Sequence, residues 1–327
     1  MFDRIEVRAK RAIEEKVFPG CIIGIVHADG ARHVFPFGCL AYGASEQVTE
    51  STLYDLASIT KSIPTASLAA SFVSEKKLAF SDVVKHHIPE LANDQGATIE
   101  DLLHYRVKGA QLSKLPYKTF EEIRTHVFEH GFEEVSRDDG VHTNLPALIL
   151  GIILERVGGK SVHVLAHEHF FGPLGMENTT FFPDSSVCVP TEIDVRGEVC
   201  GLPHDESAYL FAAKRRSVGH AGLFSTTPDL LKFLDALLKG RFPHIVECAK
   251  KGLGWQVDDP NFMGHHAGPG VFGKTGFTGT SVVCDTERGV GFVILSNRTF
   301  PKRPPDSRAI TAFRRDIADI IFENIAE

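Results

Sequence analysis

Residues 55–61 read Asp55-Leu56-Ala57-Ser58-Ile59-Thr60-Lys61 and run straight into Ser62-Ile63-Pro64-Thr65-Ala66-Ser67-Leu68-Ala69-Ala70, a small, apolar stretch with no charge. A loop thus enters a helical pattern at a serine followed three positions later by a lysine. That spacing puts Ser58 and Lys61 on one helix face, one turn apart. A serine hydroxyl is a weak nucleophile until a neighbour takes its proton, and a partly buried lysine held neutral can do so. The helix N-terminus would also favour negative charge developing at Ser58. Alone the pattern says little, because Ser-x-x-Lys should occur about once by chance in a chain of this size. Ser74-Glu75-Lys76-Lys77 matches it too, at a charged helix end. For a lone match a capping serine beside a solvated lysine is the plainer reading. Pro64 removes one helical hydrogen bond six residues after Ser58, so the helix should kink there or leave Ser58 in an irregular first turn.

Two further motifs follow in order. His142-Thr143-Asn144 precedes Leu145-Pro146-Ala147-Leu148-Ile149-Leu150-Gly151, a loop turning into a buried helix. The imidazole could relay a proton, and the asparagine amide donates to one partner while accepting from another. An N-cap asparagine ahead of a first-turn proline is the plainer reading. Lys274-Thr275-Gly276-Phe277-Thr278-Gly279-Thr280-Ser281 begins a strand near the C-terminus. A lysine and a hydroxyl on an edge strand hold a carboxylate, and Gly276 lets a substrate backbone approach.

Around these motifs the chain is organised from its two ends. An amphipathic N-terminal helix leads into Cys21 to Ala28 and Arg32 to Gly38, apolar segments about an Asp29-Gly30 hairpin signal. Near the other end, Thr280 to Asp285 and Val290 to Ser296 flank Thr286-Glu287-Arg288-Gly289, and Ser307 to Ala326 has helical period. Between them the patterns are mostly helical: 61–77, 98–104, 120–130, 145–157, 161–170 and 227–238. The expectation is an α/β sandwich: an antiparallel sheet of about five strands flanked by the terminal helices, with an inserted helical lobe. Residues 1–60 plus 245–327 would form the sheet lobe and 61–244 the insert, with the site at their seam.

Composition narrows the function. The 327 residues carry Lys+Arg 35 against Asp+Glu 42, a net charge of −7, which argues against a nucleic-acid groove or a polybasic membrane anchor. The longest uncharged apolar run, Leu145 to Leu154, is about half of what crosses a bilayer. The charged N-terminus lacks a secretory apolar core, so a cytoplasmic location is expected. Six scattered cysteines with no CxxC pair read as reduced thiols. His163, His167 and His169 miss the H-E-x-x-H spacing and read as an amphipathic helix, so neither a metal nor a cofactor is expected. His265-His266 is a candidate border of the pocket, against a solvated loop. No feature specifies an oligomeric state.

Ser58-x-x-Lys61, His142-x-Asn144 and Lys274-Thr275-Gly276, in this order and on these elements, resemble the serine β-lactamase and penicillin-binding-protein-like superfamily, most closely its class C, D-peptidase and esterase branch. Phe171-Gly172-Pro173-Leu174-Gly175-Met176 and Gly219 to Thr226 resemble further segments of that family, and Pro203-His204-Asp205-Glu206 a possible lip of its substrate cleft. The resemblance implies that Ser58 is acylated and that Lys61 assists its deprotonation. It further implies that Asn144 orients Lys61 and the substrate, and that Lys274 with Thr275 holds an anionic group. The oxyanion would sit on the backbone N–H groups of Ser58 and Phe277. One departure stands out: His142 replaces the family's tyrosine. A neutral His142 could shuttle the proton instead; the alternative is a non-catalytic binding or scaffold protein. By the same resemblance the esterase type carries histidine where Lys274 stands, which favours a small carboxylate-bearing substrate, of D-amino-acid or muropeptide type and linked to cell-wall metabolism, over a promiscuous carboxylesterase.

Overall fold

Strands that are apolar along their whole length need cover on both faces, and the molecule provides it. The computed structural model describes residues 1–136 and 143–325. Gly20–His27 (β1) and Arg32–Gly38 (β2) form the expected hairpin, with Gly30 at φ +93° in its turn. Gln256–Val257 (β3), Phe272–Thr275 (β4), Ser281–Asp285 (β5) and Val290–Ser296 (β6) complete the sheet. All six strands are antiparallel, in the order β2-β1-β6-β5-β4-β3. At the centre, β1 lies against β6 from Cys21 opposite Ser296 to His27 opposite Val290, so the two ends of the chain meet in the middle of the sheet. The sixth strand, β3, is two residues long, too short for alternation to reveal it.

Side chains on β1 alternate between two cores, as strand geometry requires. Ile23 and Ile25 pack with Ile5 and Ala9 of the helix Phe2–Glu14 (α1) and with Phe313 and Ile317 of the helix Arg308–Glu323 (α4). Ile22 and Val26 turn the other way, towards Leu230, Leu231 and Leu234 of the helix Thr227–Leu238 (α3). Among the described residues no helix is long and apolar enough to cross a membrane.

The segment after Ser58 is irregular in the manner Pro64 requires. Ala57–Lys61 is a tight 3-10 turn, and a wide turn over Ser62–Ala66 follows. Ile63, directly before the proline, leaves helical geometry at φ −113°, ψ 107°, and only Ser67–Ser74 is α-helical. Serine and lysine therefore share a short turn at the start of the segment instead of a long straight helix.

Close packing at the sheet centre makes a direct test. A Cβ on Gly24 would lie 2.3 Å from Thr227 Cγ2 and 3.1 Å from Leu231 Cδ1. Gly24→Val should overpack the seam between β1 and α3 and lower the unfolding free energy by about 1–3 kcal/mol, read from the urea midpoint at unchanged m-value.

Candidate active site

Two segments far apart in sequence are stitched together by hydroxyls. Thr278 Oγ1 donates to the Asp55 carbonyl at 2.7 Å, and Thr280 Oγ1 to the Leu56 carbonyl at 3.1 Å. The threonines of Lys274-Thr275-Gly276-Phe277-Thr278-Gly279-Thr280 thus dock the connection from β4 to β5 onto the turn that carries Ser58. Gly276 is obligatory at this junction, because a Cβ there would lie 2.1 Å from Thr280 Oγ1 and 2.4 Å from the Leu56 carbonyl. On the other side Ala57 sits at φ +46°, and its N–H donates to Asp55 Oδ1 at 2.8 Å. The backbone entering Ser58 is therefore held in a conformation that a non-glycine residue keeps only under constraint.

Lys61 is 6% exposed, and its Nζ has three oxygens around it: Ser58 Oγ at 2.8 Å, Asn144 Oδ1 at 2.9 Å and the His220 carbonyl at 2.9 Å. Burial pushes its pKa down to about 8, against the opposing attraction of Asp205. Two of the three oxygens can only accept. A neutral amine has two N–H bonds, so once Asn144 and His220 take them its lone pair faces Ser58.

Asn144 is oriented from behind. Its Nδ2 donates to Asp205 Oδ2 at 2.7 Å, and a carboxylate accepts only, so the amide oxygen must face Lys61. Asp205 also accepts from Ser207 Oγ at 2.6 Å and from the Ala208 N–H at 2.9 Å, and His220 Nε2 lies 3.3 Å away. Burial would raise this carboxyl, but those donors outweigh it and hold its pKa well below the usual carboxylate range. His220 is fully buried, and that burial lowers its pKa, against the opposing pull of Asp205. Asn144 precedes the helix Leu145–Gly158 (α2) without capping it, so its side chain is free for this network.

Ser58, Lys61, Asn144, Lys274, Thr275, Gly276 and Phe277 all line one cavity of about 370 Å³. Lys274 is 4% exposed, with its Nζ 4.7 Å from the centre of the Tyr105 ring. Burial first, then the Lys61 charge, lowers its pKa to about 7, while Asp259 opposes. Arg298 and Arg314 also reach the cavity, so its lining carries four basic residues against one carboxylate, Asp259. Phe277 is 47% exposed, stacked on His204 at 5.4 Å and capped by the Arg298 guanidinium at 4.8 Å. Among the described residues its N–H has no acceptor. Arg314, 5% exposed, donates from Nη2 to the Gly276 carbonyl at 2.8 Å and the Thr280 carbonyl at 2.7 Å. The Gly276 carbonyl and the Phe277 N–H belong to one peptide group, so a buried guanidinium sits on one end of it and the cavity on the other.

His142 lies outside the described residues. His265 and His266 are not in the lining; their N–H groups donate to Asp319 on α4. His163 packs against Phe182 and His169 against Phe72. In the decoy, Ser74 and Lys77 are exposed and the Lys77 ammonium pairs with Glu75 at 2.7 Å. Asp205 stands behind Asn144 and outside the cavity lining, and no signal beyond the Pro203-His204-Asp205-Glu206 likeness marked it. Arg314 is one of several arginines on an amphipathic helix, and its period gave no sign of a role.

A beta-lactamase family model matches residues 8–315. The chain belongs to the beta-lactamase family. Among curated relatives, "Putative D-alanyl-D-alanine carboxypeptidase" of Escherichia coli (strain K12) is 30% identical over 312 residues, covering 77% of this chain and 70% of the relative. The octameric penicillin-binding protein homologue from Pyrococcus abyssi superposes with a TM-score of 0.76 at 21% identity, over 98% of this chain and 77% of that one. EstCE1, a hydrolase with promiscuous acyltransferase activity, gives a TM-score of 0.76 at 17% identity, with 98% of both chains covered. These structural likenesses establish the beta-lactamase fold.

The buried cation on β4 has a measurable signature. Between the folded pKa of about 7 and the ordinary 10.5, the unfolded chain binds more protons at Lys274, so stability rises with pH across that window. Below about 7 the penalty is fully present. Lys274→Met should therefore raise the unfolding midpoint, most at pH 6 and progressively less towards pH 10, in thermal melts of the two proteins.

Proposed function

We propose that this protein is a serine hydrolase that cleaves an amide or ester bond of a small carboxylate-bearing substrate, of D-amino-acid or muropeptide type, through an acyl-Ser58 intermediate. The observation that carries this reading is Lys61 Nζ, 2.8 Å from Ser58 Oγ and held by two fixed acceptors. In the working form Lys61 is neutral. Its lone pair takes the Ser58 proton as Oγ bonds to the substrate carbonyl carbon. The charge that develops on the carbonyl oxygen is received by the Ser58 and Phe277 N–H groups. Collapse expels the amine or alcohol, which leaves with the proton from Lys61. Water then attacks the acyl-serine ester, and its proton returns to Ser58 Oγ as the acid is released. We assign His142 the second proton-carrier position on its place in the sequence alone, tested by whether His142→Ala changes the pH profile of turnover.

Lys274 and Thr275 are assigned to the substrate carboxylate, with the cationic lining of the cavity in support. The 30% identity to a protein named as a D-alanyl-D-alanine carboxypeptidase favours the same class. Arg314 acts as a positioning residue: its guanidinium fixes the peptide that presents the Phe277 N–H and strengthens that N–H as a donor.

Intact-protein mass after incubation with a fluorophosphonate, and separately with a penicillin, is the primary test, with Ser58→Ala as control. A Ser58-dependent adduct is expected with both. No adduct on folded protein would leave a non-catalytic scaffold.

The pH profile separates the two lysines. For a neutral substrate kcat/KM should rise to a plateau as Lys61 loses its proton near about 8. For an anionic substrate the loss of charge on Lys274 near about 7 opposes that gain, so the profile should pass through a maximum between about 7 and 8 and then fall. A neutral ester turned over equally by Lys274→Ala, with no preference for the anionic analogue in the parent, would make the protein a promiscuous carboxylesterase.

Arg314→Met should lower kcat about tenfold with little change in KM, a fraction of the ~10²–10³ lost when an oxyanion donor is deleted. Arg314→Lys should recover part of the loss; equal kcat in all three proteins would remove Arg314 from the mechanism.

A further inference from the structure

A second cavity, of about 590 Å³, has no lining residue in common with the site just described but lies next to one of its supports. Gly219 lines it, and the next residue, His220, supplies the carbonyl that accepts from Lys61. Gly219 has no room to give way without consequence: a Cβ there would lie 2.2 Å from the Ala147 carbonyl, and its own carbonyl accepts from Thr65 Oγ1 at 2.8 Å. An occupant of this cavity would therefore lie against the segment that positions the lysine.

The floor is apolar, built from Leu148, Val218 and Phe211, with Phe120 5.3 Å from Phe211 between ring centres. The rim is cationic: Arg124, Arg156, Lys160, Lys214, Arg215 and Arg216 surround a single carboxylate, Glu155, which accepts from the Val162 N–H at 3.0 Å. Arg156 and Lys160 are answered by Glu90 and Glu168, neither of which lines the cavity. Among the described residues none of the other four cations has a carboxylate in ion-pair contact, and Arg124 and Arg216 share the attraction of the one carboxylate, Glu155. Arg124, Arg215 and Arg216 rest instead on the rings of Phe128, Phe182 and Phe120, at 5.2, 5.0 and 4.8 Å. Arg215 is held at φ +54°, which keeps three consecutive basic residues at the rim. In a chain of net charge −7, like charges are gathered here against their mutual repulsion, and planar guanidinium groups suit phosphate and carboxylate oxygens.

We infer that this cavity is an effector site for a small polyanion, carrying two or more adjacent carboxylate or phosphate groups, and that its occupancy alters the reactivity of Ser58 through Gly219 and His220. The effect on Ser58 rests on the acyl-serine reading; the binding does not.

Citrate and inorganic pyrophosphate, each titrated calorimetrically at ionic strength matched with sodium chloride, separate the two anion chemistries. Saturable binding of at least one is expected, weakened tenfold or more in Arg124→Gln/Arg215→Gln and unchanged in Ser58→Ala. The active-site cavity is itself cationic, so Lys274→Ala is the decisive control. Binding lost in that variant but retained in the double variant would overturn the effector site, as would no saturable binding of either anion by the folded parent. The rate of fluorophosphonate labelling at saturating anion should change at least twofold in the parent and not in the double variant. An unchanged rate despite binding would overturn the coupling. A parent unlabelled without any anion would instead sink the acyl-serine reading and leave the calorimetric result standing.

Discussion

The structure turns on a buried amine between two fixed acceptors. Lys61 can be neutral near physiological pH because water is kept from it, and its lone pair can point at Ser58 because the Asn144 amide oxygen and the His220 carbonyl claim its other directions. Each acceptor is in turn fixed. Asp205 determines which end of the Asn144 amide faces the lysine, and the Thr65 hydroxyl anchors the Gly219 carbonyl immediately before His220. Loosening any of these contacts would release the amine from its fixed orientation, and its lone pair would no longer be held towards Ser58.

The fold supplies this arrangement by joining segments far apart in the chain. Strand β1, near the start, pairs with β6, near the end, and the helices from the two ends of the sequence, α1 and α4, share one face of the sheet while α3 covers the other. The strand that carries Lys274 lies at the β3-β4 side of that sheet, and threonine hydroxyls bind it to the Ser58 turn. Burying Lys61 and Lys274 in one cavity is destabilising by itself, since each is deprived of water and the two repel. Such arrangements persist where they serve chemistry, and the surrounding sheet and helices carry the cost.

Much of this was legible in the sequence because it is written in local patterns. The hairpin at Asp29-Gly30 and the helix Phe120–His130 follow from turn chemistry and period. Pro64 foretold the irregular segment after Ser58, although the periodicity had extended a helix across it. The Ser-x-x-Lys that lines the cavity differs from the second match in burial: Lys61 is enclosed, whereas Lys77 is exposed and paired with Glu75. What local pattern could not reveal were residues that act through others. Asp205 reaches Asn144 across 61 positions, and Arg314 reaches Gly276 across 38, contacts that exist only once the chain has folded.

Direct titration of lysine side chains bears most closely on the central claim. In protein labelled with ¹⁵N at lysine Nζ, comparison of the parent with Lys61→Met assigns the Lys61 resonance, and its chemical shift is followed from pH 6 to 11. A midpoint near about 8 that moves downward in Asp205→Asn is expected, because the variant removes the carboxylate whose attraction favours the ammonium and frees the Asn144 amide to turn. A Lys61 midpoint at the ordinary 10.5 would mean that the amine is charged at working pH and cannot take the proton from Ser58.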